Sequence, residues 1–250
     1  GSDAASLSTK AEKVGSEYIL NGTKTFISGA GWSDIYLVMA RTSDQGAKGV
    51  SAFIVEKDAP GLSFGTTEKK MGWNAQPTAQ VIMEDCKVSE KNRVGAEGEG
   101  FKFAMSGLDG GRINIGACSL GGAQKALKAS IKYTSERKQF GKLISDFQNT
   151  EFMLADMATE LEASRMMIYR GADMIDKGMA NVSAACAMAK RYSTDMCSKI
   201  ADNALQLHGG YGYLSEYEIE QIVRDLRVHQ ILEGTNQIMR VIISRSLLRQ

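Results

Sequence analysis

Strong charge of either sign, metal-ligand clusters and long apolar runs are all missing from this 250-residue sequence. Net charge is +1, from 30 Lys+Arg against 29 Asp+Glu, and no basic cluster stands out. That leaves no electrostatic case for nucleic acid. The two histidines, His208 and His229, are too few and too distant in sequence to suggest a metal site. Cys86, Cys118, Cys186 and Cys197 lack metal-type spacing and read as free thiols of a reducing compartment. No apolar run approaches the ~20 residues a membrane span needs. The first residues show neither a signal-peptide nor a transit-peptide pattern, an absence that excludes nothing.

What is present divides by composition. The length suits one large or two ordinary domains. Up to residue 95, short β-rich runs alternate with turn signals: Tyr18-Ile19-Leu20, Thr25–Ser28, Ile35–Ala40, Val50–Val55 and Ala79–Met83. Asn21-Gly22 has hairpin chemistry, since both residues tolerate positive φ, and Pro60-Gly61 and Gln76-Pro77 mark further turns. A small β-barrel or sandwich over residues 1–96 is expected.

A Gly/Glu linker, G-A-E-G-E-G, precedes a region dominated by helix formers. Gly111–Glu136 opens with small residues that let helices approach closely. Asp146–Lys177 has Asp146 as cap, Gly178 as stop and an apolar stripe of Phe152, Ala155, Met157, Leu161 and Met166. The spacing further predicts Asn181–Leu207, begun by an Asn cap, then about Tyr217–Ile231 and Thr235–Leu248. Methionines 153, 157, 166, 167 and 174 read as adaptable core. Long helices with short connections predict an antiparallel bundle over residues 97–250, and so an α+β chain of two domains.

The last two helices flank R-V-H-Q-I-L-E-G-T-N-Q-I-M-R, where Glu233 stands between Ile231-Leu232 and a small polar turn. An apolar flank withdraws solvent from a carboxylate and strengthens it as a base. Thr235 or Asn236 can cap the following helix, whose free N–H groups attract anions. From spacing alone, a helix–turn–helix junction with an exposed Glu remains the plainer alternative.

I-L-E-G-T-N-Q-I-M-R, Q-L-H-G-G-Y-G-Y and R-K-Q-F-G together resemble the acyl-CoA dehydrogenase family, with matches in family order along the whole chain. Gly1-Ser2-Asp3-Ala4-Ala5-Ser6 resembles the tail of that family's T-E-P-G-x-G-S-D flavin motif. The chain is therefore expected to be about the C-terminal two-thirds of an enzyme, although Gly1-Ser2 also suits a cloning scar. G-S-D-A-A-S-L, L-D-G-G-R-I-N and V-R-D-L-R-V-H-Q-I-L-E-G-T-N are most similar to the short branched-chain members.

The resemblance implies site residues. Glu233 becomes the base that removes the thioester α-proton. In one branch, typified by isovaleryl-CoA dehydrogenase, the base sits at the position of Gly111, which here supplies no carboxylate. FAD is implied as cofactor. It would be contacted by Phe26-Ile27-Ser28, by Arg137 on its pyrophosphate, by Phe147 and Gln148, by Gln206-Leu207-His208-Gly209-Gly210, and by Thr235-Asn236-Gln237. On the substrate side the matching positions are Ser2, Asp109, Gly110, Gly111, Arg112 and Arg245; no metal is implied. Plainer alternatives stand beside several of these. Phe26–Ser28 suits an ordinary core strand, Arg137 a helix terminus, Gly209-Gly210 a helix stop, and Asp109/Arg112 an i,i+3 ion pair worth ~0.3–0.5 kcal/mol.

The implied reaction is α,β-dehydrogenation of isobutyryl-CoA to methacrylyl-CoA in valine breakdown, with reduced flavin reoxidised by an electron-transfer flavoprotein. Donors aimed at the thioester oxygen would stabilise the developing enolate. Because the implied flavin contacts cross subunits in the family, at least a dimer and usually a tetramer is expected. Location would be the mitochondrial matrix in a eukaryote, or the cytoplasm in a bacterium. Rival expectations are a 2-methylbutyryl- or butyryl-CoA enzyme, an acyl-CoA oxidase, and a helical-bundle fragment without activity.

Overall fold

The computed structural model describes residues 1–248 and divides into two compact units, Gly1–Gly107 and a second from Leu108 onward.

The first unit is one seven-stranded sheet. Its strands are β1 (Lys10–Val14), β2 (Glu17–Ser28), β3 (Ile35–Arg41), β4 (Val50–Glu56), β5 (Leu62–Phe64), β6 (Thr78–Ser89) and β7 (Arg93–Val94). The order is β5-β6-β2-β1-β3-β4-β7, antiparallel except where β1 meets β3 through Lys10 and Arg41. Strands distant in this order nonetheless touch. The Tyr36 ring of β3 packs tilted against Phe64 of β5 at 5.3 Å, and the Tyr18 ring of β2 against Phe53 of β4 at 4.8 Å. The sheet therefore curls on itself around one apolar core that includes Leu20, Val38, Val55, Val81 and Met83. Alternation along β3 accounts for this: Tyr36, Val38 and Ala40 point inward while Ile35 and Leu37 stay exposed.

Asn21-Gly22 does not make the expected hairpin. Both residues lie inside β2, and the two-residue turn falls at Gly15-Ser16, between the paired Val14 and Glu17. Gly22 takes φ 142° at a bulge in the β2–β6 register, where an added Cβ would meet the Thr9 Cα at 2.9 Å. Asn21 accepts a hydrogen bond from the Asp85 N–H at 2.8 Å. Its turn chemistry is used to hold that irregularity open rather than to reverse the chain.

The second unit is built on the part of α1 (Gly100–Glu136) from Leu108 onward, with α2 (Gln148–Asp176), α3 (Val182–His208), α4 (Ile219–Arg227), α5 (Asn236–Leu248) and a small hairpin of β8 (Lys138–Gln139) and β9 (Lys142–Leu143). The first helix begins earlier than its small-residue run suggests. At some of its glycines a neighbour closes on the backbone: a Cβ at Gly116 would stand 3.0 Å from the Ser193 hydroxyl and closer still to Ile168. Ile113, Leu120 and Leu127 of α1, Met157, Leu161 and Ile168 of α2, Cys197 and Ile200 of α3, and Ile222 and Leu226 of α4 form one core.

Three local expectations fail in this bundle. The buried stripe of α2 is Met157, Leu161, Ser164, Ile168, Gly171 and Met174, whereas Phe152, Ala155 and Met166 are exposed. Two apolar stripes share this helix, and composition could not rank them. Asp146 does not cap α2: Phe147 takes that position, and Asp146 accepts the Leu143 N–H instead. Asn181 stands at the start of α3 in the left-handed region, φ 60°, without a side-chain capping bond. Among the described residues no helix is long and apolar enough to cross a membrane, and no cluster could hold a metal ion. All four cysteines are free thiols.

Candidate active site

After α4 the chain makes a short 3-10 turn, Val228–Gln230, and the Val228 carbonyl accepts the N–H groups of Ile231 and Leu232 at 2.8 and 3.0 Å. Two consecutive left-handed residues follow, Glu233 at φ 56° and Gly234 at φ 86°. Glycine adopts this freely, but Glu233 does so at a cost of ~1–3 kcal/mol, which surrounding contacts must over-determine. Thr235 then caps α5, its Oγ1 accepting the Ile238 N–H at 3.3 Å. Of the two proposed caps, Thr235 is the one used; the Asn236 side chain is buried and turned to α3.

The Glu233 carboxylate faces α1. A Cβ placed on Gly111 would lie 2.8 Å from its carboxyl carbon and 3.3 Å from Oε1, closer to Oε2. The missing side chain at Gly111 is thus the space the carboxylate uses. Among the described residues no hydrogen bond or ion pair reaches that carboxylate. The apolar flank is weaker than expected, because Ile231 is 51% exposed. On the same helix, Arg112 pairs with Asp109 at 2.7 Å, both side chains largely buried, and the Ser183 hydroxyl donates to the other Asp109 oxygen. This is the i,i+3 pair of the plainer reading, but shielded from solvent, so losing one partner would leave an uncompensated charge. Arg112 Nε is itself buried with no partner among the described residues.

Lys190 of α3 lies beneath the turn with its side chain fully buried. Its ammonium donates to the Gly234 carbonyl at 2.8 Å and to Asn236 Oδ1 at 2.9 Å. Burial pulls it down to about 8, opposed by the Asp195 and Glu233 carboxylates and reinforced by Arg112. The Asn236 amide nitrogen donates to Thr194 Oγ1 and Asp195 Oδ1 at 2.9 and 2.7 Å, and Gln230 donates to the same Asp195 oxygen at 2.9 Å. His229, also buried, is 2.7 Å from Ser119 Oγ through Nδ1. Since that hydroxyl donates to the Ile115 carbonyl at 2.9 Å, Nδ1 carries the proton it accepts. Burial lowers His229 to about 4.

A separate open cleft of about 420 Å³ is lined by Tyr133, Arg137, Gln206, Leu207, His208, Gly209 and Gly210, with Tyr211 beside them. The Arg137 guanidinium lies 5.5 Å from the Tyr211 ring centre, and His208 stacks on Tyr133 at 4.5 Å. Gly209, at φ 58°, ends α3, and a Cβ on Gly209 or Gly210 would meet nothing within 4 Å. The glycine-stop reading thus holds at Gly209, and the same residues leave the backbone open. Phe147 and Gln148 start α2, with Phe147 edge-on to Phe140. Gln237 and Arg245 lie exposed on α5, where nothing joins Arg245 to the Glu233 turn among the described residues.

The remaining expected residues belong to the first unit. Phe26, Ile27 and Ser28 end β2, with Phe26 73% exposed at φ 60°. An exposed, strained Phe is not an ordinary core residue. Ile27 and Ser28 line a cavity of about 380 Å³ with Lys24, Ser33 and Tyr36. Ser2 is exposed near the chain start.

Lys190 and Asp195 are the site residues that sequence reasoning missed. The signal was available: Lys190 shares the four-residue spacing of Cys186, Lys190 and Thr194 on the buried stripe of α3, where a lysine has no ordinary place.

Comparison with known proteins adds three findings. The family profile "Acyl-CoA dehydrogenase, C-terminal domain" matches residues 98–248, and "Acyl-CoA dehydrogenase, middle domain" matches residues 1–86. Proteins named isobutyryl-CoA dehydrogenase, mitochondrial, from Dictyostelium discoideum and Bos taurus are 56% and 54% identical over 99% and 100% of this chain. The chain spans 60% of the length of each. The solved structure of butyryl-CoA dehydrogenase from Megasphaera elsdenii, 41% identical, superposes with a TM-score of 0.97 over 100% of this chain and 65% of its own.

Proposed function

The chain belongs to the acyl-CoA dehydrogenase family, and on that premise we propose that it serves the α,β-dehydrogenation of a short branched acyl-CoA, isobutyryl-CoA, with Glu233 as the base. The observation that carries this reading is the Glu233 carboxylate itself. It is held on a strained turn, makes no hydrogen bond or ion pair among the described residues, and points into the space left by Gly111. A carboxylate spent on structure would be paired; one kept free at such cost suits a proton acceptor. The acyl chain is inferred from the 54–56% identity to the two isobutyryl-CoA dehydrogenases.

The chemistry of the side chains fits FAD. A forked guanidinium at Arg137 suits a phosphate pair, and the open backbone at Gly209-Gly210 allows close approach of a nucleotide. Exposed Phe26 offers a ring face, and the Ile27-Ser28 segment offers polar groups for the flavin's edge. Phe147, Gln148, Gln206, Leu207 and His208 complete the proposed contacts, with Thr235, Asn236 and Gln237 contributing at the start of α5. Because the Asn236 side chain is committed to Lys190, Thr194 and Asp195, its contribution would be its backbone N–H. When bound, FAD supplies the acceptor for the substrate's β-hydrogen. Glu233 takes the α-proton, and N–H donors polarise the thioester carbonyl. Asp109, Gly110, Gly111 and Arg112 would shape the acyl and pantetheine path, with Ser2 and Arg245 on the same substrate side. The proposal includes an electron-transfer flavoprotein as oxidant, a homotetramer, and the mitochondrial matrix for a eukaryotic source or the cytoplasm for a bacterial one. A solved structure 48% identical to this chain, described for the electron transferring flavoprotein of Acidaminococcus fermentans, supports the choice of oxidant.

The test is anaerobic bleaching of the flavin-loaded protein by isobutyryl-, 2-methylbutyryl- and butyryl-CoA. The expected result is the highest kcat/KM with isobutyryl-CoA and slow reoxidation of the reduced flavin in air. Preference for another chain would overturn the substrate, and rapid reoxidation would turn the reading to an oxidase.

A further inference from the structure

The Glu233 turn is gripped from below by one helix. Gln230 before the turn and Asn236 after it both donate to Asp195, while Gly234 inside it and Asn236 both accept from Lys190. Lys190 and Asp195 lie five residues apart on α3, so the rigid frame of a 27-residue helix holds both ends of the seven-residue segment Gln230–Asn236. The Glu233 side chain takes no part in this work, since it makes no hydrogen bond or ion pair among the described residues.

We propose that Lys190 is the positioning residue of the base: through the Gly234 carbonyl and Asn236 it sets where the Glu233 carboxylate stands. This rests on Glu233 being the base. Three observations support it. The Gly234 carbonyl follows directly on Glu233, so the lysine acts one peptide away from the residue it orients. The conformation it holds is strained at Glu233 and would relax if released. Finally, a fully buried ammonium is an expensive way to tie a turn, and an apolar side chain of similar volume would often serve stability as well or better. Its presence is better explained by specificity of geometry than by fold stability. The hydrogen-bond count agrees. Two acceptors face Nζ, which satisfies both N–H groups of a neutral amine, so the tie survives the loss of charge that burial favours. On this proposal the two donated hydrogen bonds, rather than the charge, hold the turn.

The test compares Lys190→Met and Lys190→Gln with wild type, all flavin-loaded, and with Glu233→Gln alone. Lys190→Met removes both donated hydrogen bonds and the charge, whereas Lys190→Gln keeps two donors without charge; both chains are one atom shorter than lysine. The expected result for Lys190→Met is flavin reduction slowed about 10²-fold, the rate loss of an ångström-scale misplacement. Half-saturating isobutyryl-CoA should stay within about threefold, and amide hydrogen exchange should be faster only within residues 228–240. Lys190→Gln should recover part of the rate. In the Lys190→Met/Glu233→Gln double variant the losses should not add, because both act through one carboxylate. An unchanged rate and unchanged exchange in Lys190→Met, with Glu233→Gln slowed, would overturn the role of Lys190 while leaving the base in place. A normal rate in Glu233→Gln would overturn the base itself, whatever the exchange pattern. Should Lys190→Met fail to fold, Lys190→Gln carries the same readouts: an intermediate rate with exchange faster in residues 228–240 supports the role, and wild-type values of both overturn it.

Discussion

Gly111 and Glu233 occupy the same space: a Cβ on the glycine would stand 2.8 Å from the carboxyl carbon of the glutamate. Two segments 122 positions apart therefore converge on one point, and a carboxylate can reach that point from either side. Adding a side chain at Gly111 while Glu233 remains should displace the base. Gly111→Ala is expected to slow flavin reduction about 10–100-fold, the scale of ~1–3 kcal/mol of overpacking. Stopped-flow reduction at equal flavin content checks this.

The same convergence predicts partial interchange. Glu233→Gly should lose most of the activity, and Glu233→Gly with Gly111→Glu should recover part of it. Recovery stays incomplete because the new carboxylate approaches the α-hydrogen from α1 at another angle, and small misplacements lower rates steeply. If the double variant is no faster than Glu233→Gly, Gly111 does not face the substrate's α-carbon.

Which of these features could be read from residues alone follows a physical pattern. The Glu233 turn and the α1 small-residue run are local motifs, so their resemblance to a family was legible, and their meeting was implied by the two homes for one base. The α+β fold class was legible from the change in composition, β-rich runs between turn signals giving way to helix formers after the Gly/Glu linker. Asn21-Gly22 misled because turn chemistry also serves a bulge, and only the partner strand β6 decides between them. Phe152 and Met166 misled because α2 carries two apolar stripes and the buried one is chosen by α3. Lys190 stayed hidden because its partners, Gly234 and Asn236, are 44 and 46 residues away in sequence.

Acid should weaken the fold through His229. Its ordinary value of 6.5 falls to about 4 when buried, chiefly by desolvation. Between these pH values the unfolded chain binds a proton that the folded chain does not, so stability is lost as pH falls from 6.5 to 4. The contribution is about 3 kcal/mol. His229→Asn, which can still reach Ser119 by its amide, should show a correspondingly smaller drop in urea midpoint across that window. An identical pH slope in the two proteins would exclude His229 as the source.

Arg137→Met should loosen the cofactor. Removing a charged hydrogen-bond donor to phosphate costs ~1.5–3 kcal/mol, or roughly 10–100-fold in affinity. The ratio of flavin to protein absorbance after gel filtration reads this directly. Retention equal to wild type would remove Arg137 from the proposed pyrophosphate site.

The measurement that bears most directly on the central claim is the single-turnover rate of flavin reduction by isobutyryl-CoA in Glu233→Gln. The amide keeps the size of the side chain and loses its basicity, so the space beside Gly111 stays filled. With flavin content unchanged, the rate should fall ~10²–10⁴-fold, the usual contribution of one general base. A Glu233→Gln protein that bleaches at near wild-type rate would contradict the assignment of Glu233 as the base.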